Sequence, residues 1–384
     1  MNLLASLFAA VVLAQSTMAP SPGDAAFSRG DFGAAHVAYA AAAAAHPDDL
    51  DAIIGLGTVD LYRNDLADAR GLLERAAKLD PANPRLRSRL RALEEREPHA
   101  GDFQIAMRDD RVSIPFASSE PLPMIHVRIN GVEGSFFLDT GATTIDLTPA
   151  AAARFHVAAH VVGQGVFAGG KTATISAGRI DRMDVDGLSV RGIDAGILPA
   201  TLPGGNQPAD GGIGTTFLRH FLSTIDYKHA RLVLYPRSSS AAFEREAAKA
   251  GATIVPMWRV GDHFIFARGH VDDGPDSLFN IDTGGEQLGV QLTKEGLAAA
   301  GIPEPDPSKA HHFMGGGGAA SALPFTAASV TVGSTTRMNL PGLYFDKGDQ
   351  FAIFPFAVAG TISDEFFRPG AVTFDFDAMK MIVT

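Results

Sequence analysis

Two stretches of the chain match each other: Phe136-Phe137-Leu138-Asp139-Thr140-Gly141-Ala142 and Phe279-Asn280-Ile281-Asp282-Thr283-Gly284-Gly285. Each is an apolar run that ends in Asp-Thr-Gly. One such triplet alone is typical of a turn, because all three residue types suit turns. Two copies in matching surroundings instead indicate a pair of carboxylates that share one proton. One of them can then act as a base and the other as an acid on a single water molecule.

The surroundings of the two triplets also match. An apolar strand and a turn precede each one, with Asn130-Gly131 in the first copy and Asp272-Asp273-Gly274 in the second. This pattern predicts a β-hairpin that leads into each aspartate. A helix start follows each triplet, since Thr148-Pro149 and Thr293 offer N-caps.

A second pair of matching segments, residues 213–219 and 362–368, closes each half. The chain from about residue 101 to residue 384 is therefore two copies of one β unit. The joint between the copies, residues 237–251, combines a serine run with a charged, helix-like stretch.

At these residues the chain resembles the aspartic proteases of the pepsin and retropepsin type, over everything that follows the N-terminal hundred residues. The resemblance implies an all-β bilobal double barrel, with a cleft between two six-stranded lobes. It implies a catalytic dyad formed by Asp139 and Asp282. It further implies that Thr140 and Thr283 form hydrogen bonds with the opposite aspartate loop, across the junction between the lobes. Gly141 and Gly284 are expected to leave room for that opposite loop.

Such a protein would be an aspartic endopeptidase. Two carboxyl groups a few ångströms apart do not both ionise easily, so the pair titrates as a unit. The ionised member takes a proton from water, the water attacks the peptide carbonyl, and the protonated member stabilises the carbonyl oxygen. We expect a peptide or protein substrate, no metal and no cofactor. Because both aspartates are on one chain, we expect the protein to act as a monomer.

The second half departs from the family pattern. Pepsins carry Ser or Thr after Asp-Thr-Gly, where this chain has Ala142 and Gly285; alanine is what retropepsins carry there. Ser363 also stands where the first half has Gly214. If either member of the dyad is compromised, these departures point to Asp282. The alternative function is therefore a protease-like fold that no longer cleaves and that serves as a peptide-binding or scaffolding protein with the helical repeats described below.

The resemblance also implies a glycine-rich hairpin, the flap, that closes over the substrate after each aspartate. The residues predicted to bind substrate there are Gly165, Phe167, Gly169, Phe313 and Met314. Mobile surface loops are the alternative for both stretches.

Two other interpretations of the same stretches are disfavoured. Residues 165–172 read G-V-F-A-G-G-K-T, which satisfies the phosphate-binding P-loop pattern. That motif needs a helix after it, and the residues that follow alternate like a strand. His311 and His312 are neighbours in a strand-like stretch. They would point to opposite faces, so one metal ion would rarely bind both.

The N-terminal hundred residues differ in character from the rest. Residues 3–14 form an apolar run too short to span a membrane, which predicts a signal peptide over residues 1–19, with an uncleaved anchor as the alternative. We therefore expect export, to the periplasm or outside the cell. Residues 22–98 are alanine-rich and repeat with a period of 34, as Asp31 and Asp65 or Pro47 and Pro81 show. This is the tetratricopeptide period.

The composition sets the remaining expectations. The net charge of −11 argues against nucleic acid as a partner. The absence of cysteine excludes disulfides and thiolate chemistry. The predicted fold is thus multidomain: a small all-α tetratricopeptide-like domain (residues 22–98), then lobe 1 (99–237) and lobe 2 (238–384). The helical repeats are expected to pack on the lobes or on a protein partner.

Overall fold

The computed structural model describes residues 19–96, 103–167, 171–198, 209–315, 318–346 and 348–384. The predicted signal peptide, apart from its last residue, and the flap residue Gly169 lie outside the described residues. In the described part of the chain, no helix is long and apolar enough to cross a membrane.

The described N-terminal region is a run of helical hairpins, as the 34-residue period predicted. Capping side chains define where the helices begin: Asp31, Asp49 and Asn83 each accept a hydrogen bond from a first-turn amide. The helices are α1 (Pro22–Ser28), α2 (Phe32–Ala45), α3 (Leu50–Tyr62), α4 (Leu66–Leu79) and α5 (Pro84–Glu94).

The first β half forms a closed barrel with additional strands. Its strands are β1 (Gln104–Met107), β2 (Val112–Pro115), β3 (Met124–Ile129), β4 (Val132–Leu138), β5 (Ile145–Leu147), β6 (His160–Phe167), β7 (Lys171–Val185), β8 (Leu188–Ile197), β9 (Gly211–Ile213), β10 (Leu222–Asp226) and β11 (Arg231–Tyr235). Six of them pair in the order β8-β5-β9-β4-β3-β7, and β7 pairs again with β8 to close the ring. Two short helices follow β5 and β9, namely α6 (Pro149–Arg154) and α7 (Thr215–Leu218).

The second half repeats this arrangement after the linking helix α8 (Ser240–Lys249). Its strands are β12 (Thr253–Val260), β13 (Phe264–Val271), β14 (Ser277–Ile281), β15 (Val290–Leu292), β16 (His311–Gly315), β17 (Gly318–Val332), β18 (Thr335–Tyr344), β19 (Gly360–Ile362), β20 (Ala371–Asp375) and β21 (Lys380–Val383). The ring order is β18-β15-β19-β14-β13-β17, closed by β17 on β18. Helices α9 (Lys294–Ala299) and α10 (Asp364–Phe367) match α6 and α7. The two halves therefore share one topology, and the predicted fold class is confirmed.

A sheet that the sequence did not predict joins the two lobes. Its strands pair antiparallel in the order β12-β21-β20-β10-β11-β2, so both lobes contribute to it. At its centre β10 pairs with β20, and the Thr224 and Thr373 hydroxyl oxygens lie 2.7 Å apart. These two strands occupy matching places in the duplicated unit, so the sheet runs across the approximate twofold axis between the lobes.

The helical domain packs on the second lobe through an aromatic core. Phe32 is fully buried, with ring centroids 5.6 Å from Trp258 and 4.9 Å from Phe356. Strand β13 offers an apolar surface there, whereas its counterpart β3 exposes His126 and Arg128 to solvent. Because the two lobes differ on this outer face, the helices have an apolar surface to cover on one lobe only.

We predict that Phe32→Ala weakens this interface, because truncating a buried phenylalanine costs about 3–5 kcal/mol. Trp258 is the only tryptophan of the chain, so its fluorescence reports on this contact directly. The variant should show red-shifted emission and a lower midpoint in a denaturant titration. Val37→Ala, at a side chain 69% exposed on the same helix, is the control. Unchanged emission and midpoint in Phe32→Ala would contradict the interface.

Candidate active site

Each aspartate directly follows a strand that pairs in parallel with a later strand of the same lobe. Strand β4 pairs with β9, and the Asp139 amide donates to the Ile213 carbonyl at 3.0 Å. In lobe 2, β14 pairs with β19, and the Asp282 amide donates to the Ile362 carbonyl at 3.1 Å. The same backbone contacts thus hold both aspartates.

Two buried threonines lock the aspartate loops together across the lobe boundary. The Thr140 amide donates to the Thr283 hydroxyl at 3.1 Å, and the Thr283 amide donates to the Thr140 hydroxyl at 3.0 Å. Each hydroxyl then donates onward into the opposite lobe, Thr140 to the Ile281 carbonyl at 3.1 Å and Thr283 to the Leu138 carbonyl at 3.2 Å. Because both hydroxyls are fully used as donor and acceptor, the pair satisfies its buried polar atoms and fixes the lobe geometry.

The glycine after each threonine lets the carboxyl group of the other lobe approach. A Cβ atom at Gly141 would lie 2.4 Å from the Asp282 carboxyl carbon, and one at Gly284 would lie 2.3 Å from that of Asp139. Each glycine amide also donates to its own aspartate, at 2.8 Å in both loops. The two carboxyl groups therefore face each other over backbone that only glycine can provide.

This arrangement raises the pKa of Asp139. Burial raises the pKa of Asp139 well above its usual range, and the charge of Asp282 and a hydrogen bond with Asp282 raise it further. One proton shared between two close carboxyl groups has this signature. The structure thus brings together all six residues that the sequence assigned to the dyad and its support, and their catalytic role stays a prediction.

Gly285 and Ser363, the two departures from the family pattern at the Asp282 loop, compensate each other. From Asp139 to the start of β5 the chain advances six positions, and from Asp282 to the start of β15 it advances eight. In the tight first loop, a Cβ at Gly214 would lie 2.4 Å from the Thr144 carbonyl oxygen, so glycine is required. The longer second loop leaves room for Ser363 at that place.

Ser363 fills this space and forms hydrogen bonds with the backbone of the Asp282 loop. Its hydroxyl donates to the Asp282 carbonyl at 2.5 Å and accepts from the Gly285 amide at 3.1 Å. A Cβ at Gly285 would lie only 2.4 Å from that hydroxyl oxygen. Ser363 therefore requires glycine at position 285, and the two residues together support the Asp282 loop.

The predicted flap residues lie on two long hairpins. Gly165 and Phe167 are in β6, paired with Ala173 and Lys171 of β7. Phe313 and Met314 are in β16, paired with β17. The P-loop pattern of residues 165–172 requires a helix after it, but the chain continues there in strand β7. The structure therefore excludes the P-loop interpretation. His311 and His312 are neighbours on β16, and the described residues contain no cluster of three or more metal-ligating side chains.

A titratable cluster beside the first aspartate loop was not predicted. Asp146 is the middle residue of β5 and points outward, since its neighbours Ile145 and Leu147 are buried in the barrel. Burial raises the pKa of Asp146 to about 7; the nearby His263 of lobe 2 lowers it and Asp262 raises it. An acid on the outer face of a strand next to Asp-Thr-Gly was the available signal, but the approach of lobe 2 could not be read from sequence.

Comparison with known proteins finds similarity in two parts of the chain. Residues 125–217, from β3 to α7, match the family model of aspartyl proteases, and residues 26–93 match a tetratricopeptide repeat model. The crystal structure of a retropepsin-like aspartic protease from Rickettsia conorii is similar to this chain with 15% sequence identity and a TM-score of 0.24, covering 35% of this chain and 93% of that chain. No curated protein matches the chain. The aspartyl protease match thus lies within lobe 1, and the tetratricopeptide match lies within the helical domain.

We predict that Gly285 and Ser363 are energetically coupled. Gly285→Ala should clash with the serine hydroxyl, and Ser363→Gly should leave two backbone groups unpaired at a cost of about 1–3 kcal/mol. The double variant Gly285→Ala/Ser363→Gly removes the clash, so it should lose less stability than the sum of the two single variants. Denaturant titrations of all three measure this difference. Gly71→Ala, where a Cβ meets no atom within 4 Å, is the control. Strict additivity would contradict the coupling.

We also predict a pH-dependent effect of Asp146→Asn. Because the folded-state pKa of Asp146 is about 7, above that of an unfolded aspartate, this residue lowers stability as pH rises from about 4 to 7. Below that window both states hold the proton and Asp146 contributes nothing. Thermal unfolding should therefore show a larger gain for Asp146→Asn at pH 8 than at pH 4. The exposed Asp181→Asn controls for the lost charge. An equal effect at both pH values would refute the assignment.

Proposed function

We propose that the protein is an aspartic endopeptidase that hydrolyses peptide bonds with Asp139, Asp282 and one activated water molecule. The observation that carries this proposal is the pair of reciprocal hydrogen bonds between Thr140 and Thr283, which sets the two carboxyl groups face to face. If the two aspartate loops served only as a binding surface, four buried hydrogen bonds between these loops would not be needed. The aspartyl protease match over the first lobe supports the same conclusion.

In this mechanism the two carboxyl groups share one proton, and we take Asp139 as the member that holds it. Asp282, as carboxylate, accepts a proton from the water that lies between the two groups. The resulting hydroxide attacks the scissile carbonyl carbon while Asp139 donates its proton to the carbonyl oxygen. Collapse of the tetrahedral intermediate then breaks the C–N bond: the proton taken up by Asp282 passes to the leaving amine, and one hydroxyl proton of the intermediate returns to Asp139, which restores the shared proton of the dyad.

The wider setting follows from the chain's organisation. Both aspartates come from one polypeptide, so the proposed enzyme acts as a monomer on a peptide or protein substrate without a cofactor. The hairpins β6–β7 and β16–β17 are proposed to hold the substrate, through Gly165, Phe167, Phe313 and Met314, together with Gly169. Export is proposed from the apolar run of residues 3–14, with no nucleic acid as partner.

We predict that Asp139→Asn and Asp282→Asn each abolish cleavage of a peptide library, because general acid and base catalysis contributes about 10²–10⁴-fold for each group. Product formation should be followed by mass spectrometry between pH 3 and pH 8 at intervals of about one pH unit. Trp258 emission and circular dichroism check that the variants are folded. The exposed Asp181→Asn should keep full activity.

Two outcomes would overturn the proposal. Undiminished cleavage by either asparagine variant would remove the dyad. A wild-type protein that binds library peptides but releases no product at any pH would instead indicate the non-cleaving peptide-binding protein.

A further inference from the structure

A short turn of lobe 2 lies between the helical domain and the active-site loop of lobe 1. We call it the junction turn; it consists of Gly261-Asp262-His263 and joins β12 to β13. The pair Val260–Phe264 closes it at its base. Contacts on one side come from the helical domain, and contacts on the other side reach the loop that carries Asp139.

On the side of the helical domain, Arg96 forms hydrogen bonds with the backbone of this turn. The residue follows α5 and is only 7% exposed. One terminal nitrogen of its guanidinium donates to the Arg259 carbonyl at 2.5 Å and to the Gly261 carbonyl at 3.0 Å. The other donates to the Leu61 carbonyl within the helical domain. A buried charge needs such partners, so Arg96 ties the helices to the turn strongly.

Within the turn, a second buried arginine keeps the backbone rigid. Arg259 is 4% exposed, and its guanidinium donates to the Asp262 carbonyl at 3.2 Å. The Asp262 carboxylate lies 2.6 Å from Nδ1 of His263 and so orients the imidazole. The ring also packs against Phe264, with centroids 4.0 Å apart. The His263 side chain therefore has little freedom relative to the turn.

On the catalytic side, the same imidazole nitrogen contacts the active-site loop. Nδ1 of His263 lies 3.1 Å from the Thr143 hydroxyl oxygen, four residues after Asp139. Thr143 is in turn fixed within lobe 1, because its carbonyl accepts from the Thr216 amide at 2.8 Å. These contacts connect Arg96, just after α5, through the backbone and side chains of the junction turn to the loop of the first aspartate.

We propose that Arg96 and His263 are positioning residues for the Asp139 loop, so that the docked helical repeats hold the active site in its working geometry. This inference rests on the proposed function. The helical domain is then part of the catalytic unit, and any displacement of the end of α5 from lobe 2 lowers turnover. Neither residue touches the carboxyl groups, so the effect appears in kcat and leaves KM unchanged.

The test compares four variants of the full-length chain. In Arg96→Ala and His263→Leu, kcat should fall between about ten- and a hundred-fold, because a small displacement of catalytic groups has an effect of this size. KM should stay within about two-fold, because substrate-binding hairpins are untouched. Arg87→Ala, at an exposed arginine of α5, should match the wild type. His263→Asn keeps an amide nitrogen near the position of Nδ1 and should recover most of the activity.

Amide hydrogen exchange gives a second readout that does not depend on cleavage. Exchange at residues 139–144 should be faster in Arg96→Ala and His263→Leu than in the wild type, and unchanged in Arg87→Ala. Trp258 emission shows whether the helices remain docked; if Arg96→Ala detaches them, His263→Leu still tests the contact within the lobes. Folded Arg96→Ala and His263→Leu proteins with wild-type kcat and wild-type exchange would overturn the inference. If the wild type cleaves nothing, the proposed function fails, and the exchange result alone decides this inference.

Discussion

The pair of reciprocal hydrogen bonds between Thr140 and Thr283 is the constraint on which the rest of the molecule depends. It joins two barrels that also share a sheet, and it does so at the residue next to each aspartate. Carboxyl groups repel each other when ionised. Two of them therefore stay close together only where the surrounding backbone prevents them from moving apart. The threonine lock supplies that restraint, and Gly141 and Gly284 remove the side chains that would keep the groups apart.

The two halves share a topology but have diverged in how they support it. Lobe 1 keeps its aspartate loop short and needs Gly214, whereas lobe 2 has a loop two positions longer and fills the added space with Ser363. On their outer faces, lobe 2 is apolar and carries the helical repeats, while lobe 1 exposes polar side chains such as His126. Divergence of this kind is available to a fused pair of lobes, because each copy can change without a matching change in the other.

Much of this architecture could be predicted from short-range patterns. The hairpins before Asp139 and Asp282, the helix caps at Thr148 and Thr293 and the 34-residue helical period all depend on neighbouring residues, so local propensity and spacing revealed them. The sheet between the lobes was not predicted. Its strands come from the beginning, the middle and the end of the duplicated region, and strand pairing over such distances leaves no local signature in one sequence.

The sequence by itself determined that two Asp-Thr-Gly units stand in equivalent places of a duplicated β fold behind helical repeats, because duplication and periodicity are written along the chain. Only the tertiary structure decided that Gly285 and Ser363 compensate each other, that Asp146 lies against His263, and that Arg96 reaches the junction turn. These contacts join residues that are distant in sequence. Their physical consequences depend on loop length, burial and the relative placement of three domains, which no stretch of residues specifies alone.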